Sequence, residues 1–197
     1  RRDRPLSRGL GDGYKRQLNP GLVNHNHLEL VGDTYVSLSG TELHVGYVRG
    51  AEWNNHLLAA AASSMDVDGR FIFLLSDFAY EVRDLFEPDT VVVSGFHLLL
   101  TPKQAIVNNQ RLLLVGGSRL ERYSTAYLAD QGLLPLRGRV DQVGIQEASL
   151  NGQLLALEHE SGISIYGLGV DADQVDRLKL DHVADIDTWA AGSHLNF

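Results

Sequence analysis

Four segments of the chain can be laid over one another at near-constant spacing, and a fifth begins to match. They read Gly32-Asp-Thr-Tyr-Val-Ser-Leu-Ser-Gly40, Gly69-Arg-Phe-Ile-Phe-Leu-Leu-Ser-Asp77, Gln110-Arg-Leu-Leu-Leu-Val-Gly-Gly117, Gly152-Gln-Leu-Leu-Ala-Leu-Glu-His-Glu160 and Gly192-Ser-His-Leu-Asn-Phe197. The steps between the aligned first residues are 37, 41, 42 and 40 residues. A repeat of this length, filled with short apolar runs and turn residues, has to stack identical units so that each buries its apolar face against the next.

Within a repeat the punctuation marks out four strand-length pieces. In the fourth repeat they are Ile145 to Leu150, Gln153 to Leu157, Ile163 to Gly167 and Val175 to Leu180. Asn151-Gly152 stands between the first two, and Asn-Gly between apolar runs is a strong hairpin signal because type I′ turns need positive φ at both central residues. The third pieces also correspond: Glu42 to Val48, Ala79 to Leu85, Arg119 to Tyr123 and Ile163 to Leu168. Each largely alternates apolar with polar, as a half-buried strand does. Helical spacing competes only over Trp53 to Ser64 and Val170 to Leu180, and the repeat frame assigns the first of these to strand.

The arrangement resembles the β-propeller superfamily, in particular the secreted bacterial and archaeal propellers with a loose Gly, apolar strand, turn, Gly, Ile-x-Ile-Tyr pattern. Leu150-Asn-Gly-Gln-Leu-Leu-Ala-Leu-Glu-His-Glu-Ser-Gly-Ile-Ser-Ile-Tyr166 carries the likeness best, and it extends over about residues 20–197. The Trp-Asp signature, the kelch glycine pair and the quinoprotein tryptophan are missing from it. The resemblance implies an all-β fold of four-stranded antiparallel blades of about 40 residues, five repeats being visible. It implies an extracytoplasmic or secreted location. It implies too that each blade's first strand lines a central channel.

Residues 1–19 read as a basic tail or linker with a possible closing strand, and 20–197 as the repeats. Two arrangements suit the ends of the sequence, a portion of a larger propeller or a self-closing ring of five. Another repetitive β fold is the third.

Of the 17 basic and 25 acidic side chains, residues 1–16 hold 6 and 2, which leaves 11 basic against 23 acidic in the body. Such a body repels phosphate backbones, so nucleic acid is not expected as the partner. No apolar run approaches the ~20 residues of a membrane span, and the chain is expected to be soluble. No signal-peptide pattern stands in the sequence, and a removed one would leave no trace. Cysteine is absent, which excludes disulfides, thiolate metal sites and a cysteine nucleophile.

Counting back from the aligned glycines places His27, Glu147 and Asp187 at one repeat position and His25 and Asp185 at another, two residues earlier. The second and third repeats put Ser64 and Ala105 at the position of His27. Residues two apart on a strand share a face, so in a five-membered ring these five groups would converge at the channel mouth. Imidazole and carboxylate aimed at one point can hold a divalent metal ion, and paired carboxylates can serve a hydrolase or lyase. The plainer reading is of solvated polar side chains at that mouth, with no cofactor.

Asp66-Val-Asp-Gly69 fits a hairpin turn better than a calcium loop, since Phe71 to Leu74 leaves too few oxygen ligands. Leu157-Glu-His-Glu-Ser-Gly162 gathers His159, Glu160 and Ser161 in one loop. A Ser161 nucleophile is not expected, because neighbours in a turn seldom reach the needed geometry, but His159 and Glu160 are candidate binding residues. Trp53 falls in what reads as a polar loop, Gly50 to Asn55, and is the candidate partner anchor. The sequence points to a non-catalytic module presenting loops to a protein or glycan partner. A channel-mouth hydrolase or lyase is the alternative.

Overall fold

A computed structural model describes residues 27–49, 53–168 and 180–186, with Trp53 and 180–186 described by backbone alone. Four separate four-stranded antiparallel sheets make up nearly all of it. The first is β1 (His27–Val31), β2 (Thr34–Ser39), β3 (Glu42–Tyr47) and β4 (Trp53–Leu57). The second is β5 (Ala62–Asp68), β6 (Phe71–Ser76), β7 (Ala79–Asp84) and β8 (Val91–Phe96). The third is β9 (Pro102–Asn108), β10 (Arg111–Gly116), β11 (Arg119–Ser124) and β12 (Leu136–Asp141), with a short helix α1 (Leu128–Gln131) between its last two strands. The fourth is β13 (Ile145–Asn151), β14 (Leu154–His159), β15 (Gly162–Leu168) and β16 (Leu180–Ile186). In every sheet the strands pair in chain order. The stretch from Trp53 to Ser64 is thus not helix but β4, a connector over residues 58–61 and the start of β5, so the repeat frame's fourth strand over Ala59 to Ala62 is corrected to Trp53–Leu57.

The hairpins after the first strands explain the aligned anchors. Val31 pairs with Thr34, Asp68 with Phe71 and Asn151 with Leu154, leaving Gly32, Gly69 and Gly152 at the first central position of two-residue turns. Their φ values are 57–60°, the place where a type II′ turn calls for glycine. The turn at Gly152 is therefore Gly152-Gln153, one residue later than the Asn-Gly signal suggests. In the third sheet Asn108 pairs with Arg111, so the central residues are Asn109 and Gln110, with φ of 50° and 61°. Two successive positive φ values make this the type I′ variant. Its register equivalent of Gly69 is Asn109, not Gln110, which corrects the sequence alignment by one residue.

The inner strands meet one after another: β1 packs on β5, β5 on β9 and β9 on β13. Three apolar clusters fill the seams. Val36, Leu38 and Leu43 meet Met65, Ile72 and Leu74 at the first. Phe73, Leu75 and Val82 meet Ala105, Leu112 and Leu114 at the second. Leu113, Val115 and Leu120 meet Ile145, Ala148 and Leu155 at the third. The second strands β6 and β10 read as unbroken apolar runs because each buries both of its faces, one in each of two seams.

Two expectations need correction. The fourth strand of the fourth sheet is Leu180–Ile186, not Val175 to Leu180. The eleven positions between β15 and β16 match the eleven between β11 and β12, so the repeat frame has to admit a long third connection twice. Trp53 is the first residue of β4, paired with Gly46, rather than part of a loop.

Candidate functional site

The inner strands carry the polar residues singled out by the repeat. On β5, Met65 and Val67 turn towards the first sheet while Ser64 and Asp66 turn towards the third, as strand alternation requires. Ser64 Oγ accepts the Ala105 N–H at 3.0 Å, and Asp66 Oδ2 accepts the Val107 N–H at 2.6 Å. Gln104 on β9 holds the register position of Ser64, and its Oε1 accepts the Ala148 N–H at 3.3 Å. In the first sheet the position is His27, whose Nε2–H donates to the Ser63 carbonyl at 3.0 Å. This position is a side-chain clip onto the next blade, and its third member is Gln104 rather than Ala105.

The five candidate metal-binding residues divide as follows. His27 and Glu147 lie at equivalent register positions on inner strands β1 and β13. Asp185 lies on β16, paired with Ser164, at the opposite edge of Glu147's own sheet. Three strand spacings of ~4.8 Å put its main chain ~14 Å from β13, so Asp185 is not on an inner strand as the repeat count had it. His25 and Asp187 lie outside the described residues. Among the described residues no three His, Asp or Glu side chains are grouped to hold a metal ion.

Burial raises the Asp66 carboxyl to about 6, against the opposing pull of the Val107 and Val67 N–H groups and with further upward pressure from Glu29 and Asp68. It sits in the seam between second and third blades.

A second polar series runs along the third strands. His44, Glu81, Glu121 and Ser164 occupy one register position, opposite Ser37, Leu74, Leu114 and Leu157. Glu121 is fully buried. It accepts from Tyr123 Oη at 2.7 Å, Arg139 Nε at 3.1 Å and the Leu98 N–H at 3.3 Å. Burial, then the bond to Glu121, drives the Tyr123 hydroxyl well above its ordinary range. His97, in the connector from the second blade to the third, is also buried. Its Nε2–H donates to the Ser76 carbonyl at 2.8 Å and its Nδ1 accepts the Leu99 N–H at 3.2 Å. Sequence reading passed over Glu121 and His97. The third-strand polar position was visible as an interruption of the apolar pattern; nothing marked His97.

One end of the sheets carries the second-to-third-strand turns and the connectors between blades, here the upper face. Phe78, Phe96, Leu98, Leu100 and Val143 all lie there and are 56–85% exposed. Main-chain bonds tie their segments together: His97 N–H to the Phe78 carbonyl, Gly117 N–H to that of Leu100, Ile145 N–H to that of Gly117. Arg119 Nη1 donates to the Leu98 carbonyl and Arg119 Nε to Asp141. His159, Glu160 and Ser161 belong to the same face, in the β14–β15 turn. A Cβ added to Gly144 would come within 3.3 Å of Glu160 Cγ, so the glutamate lies alongside the connector that displays Val143.

The turn does bring Ser161 to His159, with Oγ 2.8 Å from Nδ1 and the buried Ser164 Oγ 2.8 Å from Nε2. That contact differs from the sequence expectation. The hairpin closes at His159 paired with Gly162, which turns the two side chains to one side. No described carboxylate orients the ring.

No protein-family model matches the sequence, and a search of curated proteins finds no match either. Solved structures are similar in shape. The computationally designed Ika4 protein gives a TM-score of 0.60 at 10% identity, covering 75% of this chain and 93% of Ika4. The WD40 domain of SCAP from fission yeast gives 0.56 at 12%, covering 78% and 45%. A chain of the Mitotic Checkpoint Complex gives 0.60 at 13%, covering 74% and 48%. This chain spans less than half the length of the latter two, and of the designed Ika8 protein it spans 44%. Likeness at such identity is likeness of fold. Sheets of four antiparallel strands, joined inner strand to inner strand, make the fold a β-propeller, of which four blades are described.

Proposed function

We propose that the chain is a non-catalytic interaction module, working within a larger protein or assembly, whose upper face receives a protein partner. The observation carrying this reading is that Phe78, Phe96, Leu98, Leu100 and Val143 are all exposed on one face, on turns and connectors several of which are joined by main-chain hydrogen bonds. Large apolar side chains gathered exposed on one face mark interaction sites on folded proteins. Its rim includes Asp77 and Glu160, and the chain's net charge is −8. A partner segment with apolar side chains and basic flanks complements both features. His159 and Glu160 then serve as rim contacts. Trp53 starts β4 at the other end of its sheet, and a role for it belongs to a separate contact. Phenyl and aliphatic groups with little hydrogen-bonding capacity favour a peptide over a glycan.

The test is retention of partners from a lysate of the natural source by three immobilised proteins. These are wild type, Phe96→Asp with Leu100→Asp, and Phe86→Asp on the opposite face. Proteins retained by wild type and Phe86→Asp but lost from the double variant support the reading. An identical set on all three overturns it, and binding to a glycan array that the double variant retains would replace the partner class.

A further inference from the structure

The third blade departs from the repeat at three adjoining positions, and each time the residue is arginine. Arg111 opens β10 where Phe71 opens β6. Arg122 pairs with Leu113 as Val82 pairs with Phe73, and Val45 and Ile165 hold that position in the first and fourth blades. Arg137 is the extra residue of a bulge between β11 and β12, the place that Val92 takes between β7 and β8. In the second blade Phe71, Val82 and Val92 all pack into the seam with the third. Arg111 and Arg122 stand two residues from Leu113 and Leu120, which face the fourth blade, and so share that face. All three arginines are half-buried. At the end away from the upper face, cations thus stand where the preceding blade has apolar side chains.

Arg122 Nε is buried with no acceptor among the described residues. Neither Arg122 nor Arg137 has a carboxylate partner among them, whereas Arg70, Arg83, Arg119 and Arg139 each have one. The Arg137 guanidinium lies instead over the ring of Tyr127, 5.5 Å from its centre. Burial, then the charges of Arg111 and Arg137, lower the Arg122 guanidinium from its ordinary value. Buried charge without a counter-charge is costly, and this chain carries it at positions where its other blades use valine and isoleucine. We propose that Arg122 and Arg137, with Arg111 beside them, bind a small phosphate-bearing anion. Planar guanidiniums take phosphate oxygens in pairs, and several cations together call for a ligand with more than one negative charge. Half-buried between blades, the arginines are matched to a small solute rather than to a polymer or a surface. The site lies away from Phe96 and Leu100, and the inference is independent of the reading of the upper face.

Thermal melts of the full chain in pyrophosphate, against sodium chloride of equal ionic strength, test it. The wild-type melting point is expected to rise by about 5 °C and to keep rising with the logarithm of pyrophosphate concentration. Titration calorimetry with pyrophosphate is expected to give one site per chain. Arg122→Val and Arg137→Val restore the residue type of the second blade. Each is expected to fold, to bind no pyrophosphate and to melt at one temperature in both salts. Arg122→Gln, which keeps a polar but uncharged side chain, carries the same expectation should the valine variant fail to fold. Phe96→Asp with Leu100→Asp is expected to respond like wild type. No shift in the wild-type melting point overturns the proposal, the charge of Arg122 then being met within the chain. A shift that the Arg122 and Arg137 variants retain overturns it too, since pyrophosphate then acts elsewhere on the protein as an adventitious ion only.

Discussion

The buried hydroxyl of Ser64 accepts the main-chain N–H of Ala105 across the seam between second and third blades, 3.0 Å away. A side chain here does what a β-ladder does inside a sheet. Ser64→Ala would leave the Ala105 N–H buried without its acceptor, a loss of about 1–3 kcal/mol. Urea unfolding should show a lower midpoint at unchanged slope. Ser64→Thr, which keeps the acceptor, tests how much spare room the seam has.

Glu121 supports a larger group. Its removal in Glu121→Ala strands the Tyr123 hydroxyl, the Arg139 guanidinium and the Leu98 N–H together. Loss of about 1–3 kcal/mol is expected from the buried Tyr123 hydroxyl alone, and less from the Arg139 guanidinium, whose side chain is 44% exposed. Glu121→Gln retains one acceptor oxygen and should cost less. Thermal melts of both variants order these outcomes, and equal melting points for wild type and alanine variant would contradict the burial of this carboxyl.

Asp66 gives the seam a pH dependence. Its folded value of about 6 lies above the ordinary 3.8, because burial outweighs the two N–H groups that favour its charge. The folded state therefore binds the proton more tightly than the unfolded chain does. Its contribution is fully present below pH 3.8 and is lost as pH rises through about 6. Melting temperature should carry a downward component between those values, and Asp66→Asn should remove that component. A wild-type profile no steeper than that of Asp66→Asn would show the carboxyl to be unperturbed.

Gly95 pairs with Tyr80, and a Cβ on Gly95 would stand 2.5 Å from the tyrosine oxygen. Tyr80 in turn meets Tyr123 edge-on, with ring centroids 5.1 Å apart. Gly95→Ala should thus force two aromatic rings to move, at a cost of about 1–3 kcal/mol. Gly152→Ala places its methyl in open space but at φ +59°, so its penalty is one of main-chain strain alone. Denaturation of the two variants separates crowding from strain: in a double-mutant cycle Tyr80→Ala, which removes the ring carbons 2.7 and 3.0 Å from the Gly95 Cβ as well as the oxygen, should relieve the first and leave the second.

The blades were legible because the turn residues and second-strand apolar runs recur in the sequence itself. Gly32, Gly69 and Gly152 each mark a hairpin whose first central residue has positive φ. Where the third blade uses Asn109-Gln110 instead, the frame slipped by one and exchanged Gln104 for Ala105. Connections of eleven residues were the other source of error, since they break the period without a turn signal to mark them. At the site, repeat counting put His27 and Glu147 on inner strands and misplaced Asp185 on one. It offered no view of Phe78, Phe96, Leu98, Leu100 and Val143 as a group, because those residues sit in separate turns and connectors. Only the stacking of blades brings them to one face.

The clips from side chain to main chain also determine how the arc comes apart. Among the described residues no hydrogen-bonded ladder runs from one sheet to the next, so each blade is held by its own pairing and by packing on its neighbours. In such a one-dimensional stack the middle members have two supports and the terminal ones have one. Amide exchange should therefore be slow in β6 and β10, whose two faces both lie in apolar seams, and one blade should open without dragging its second neighbour with it.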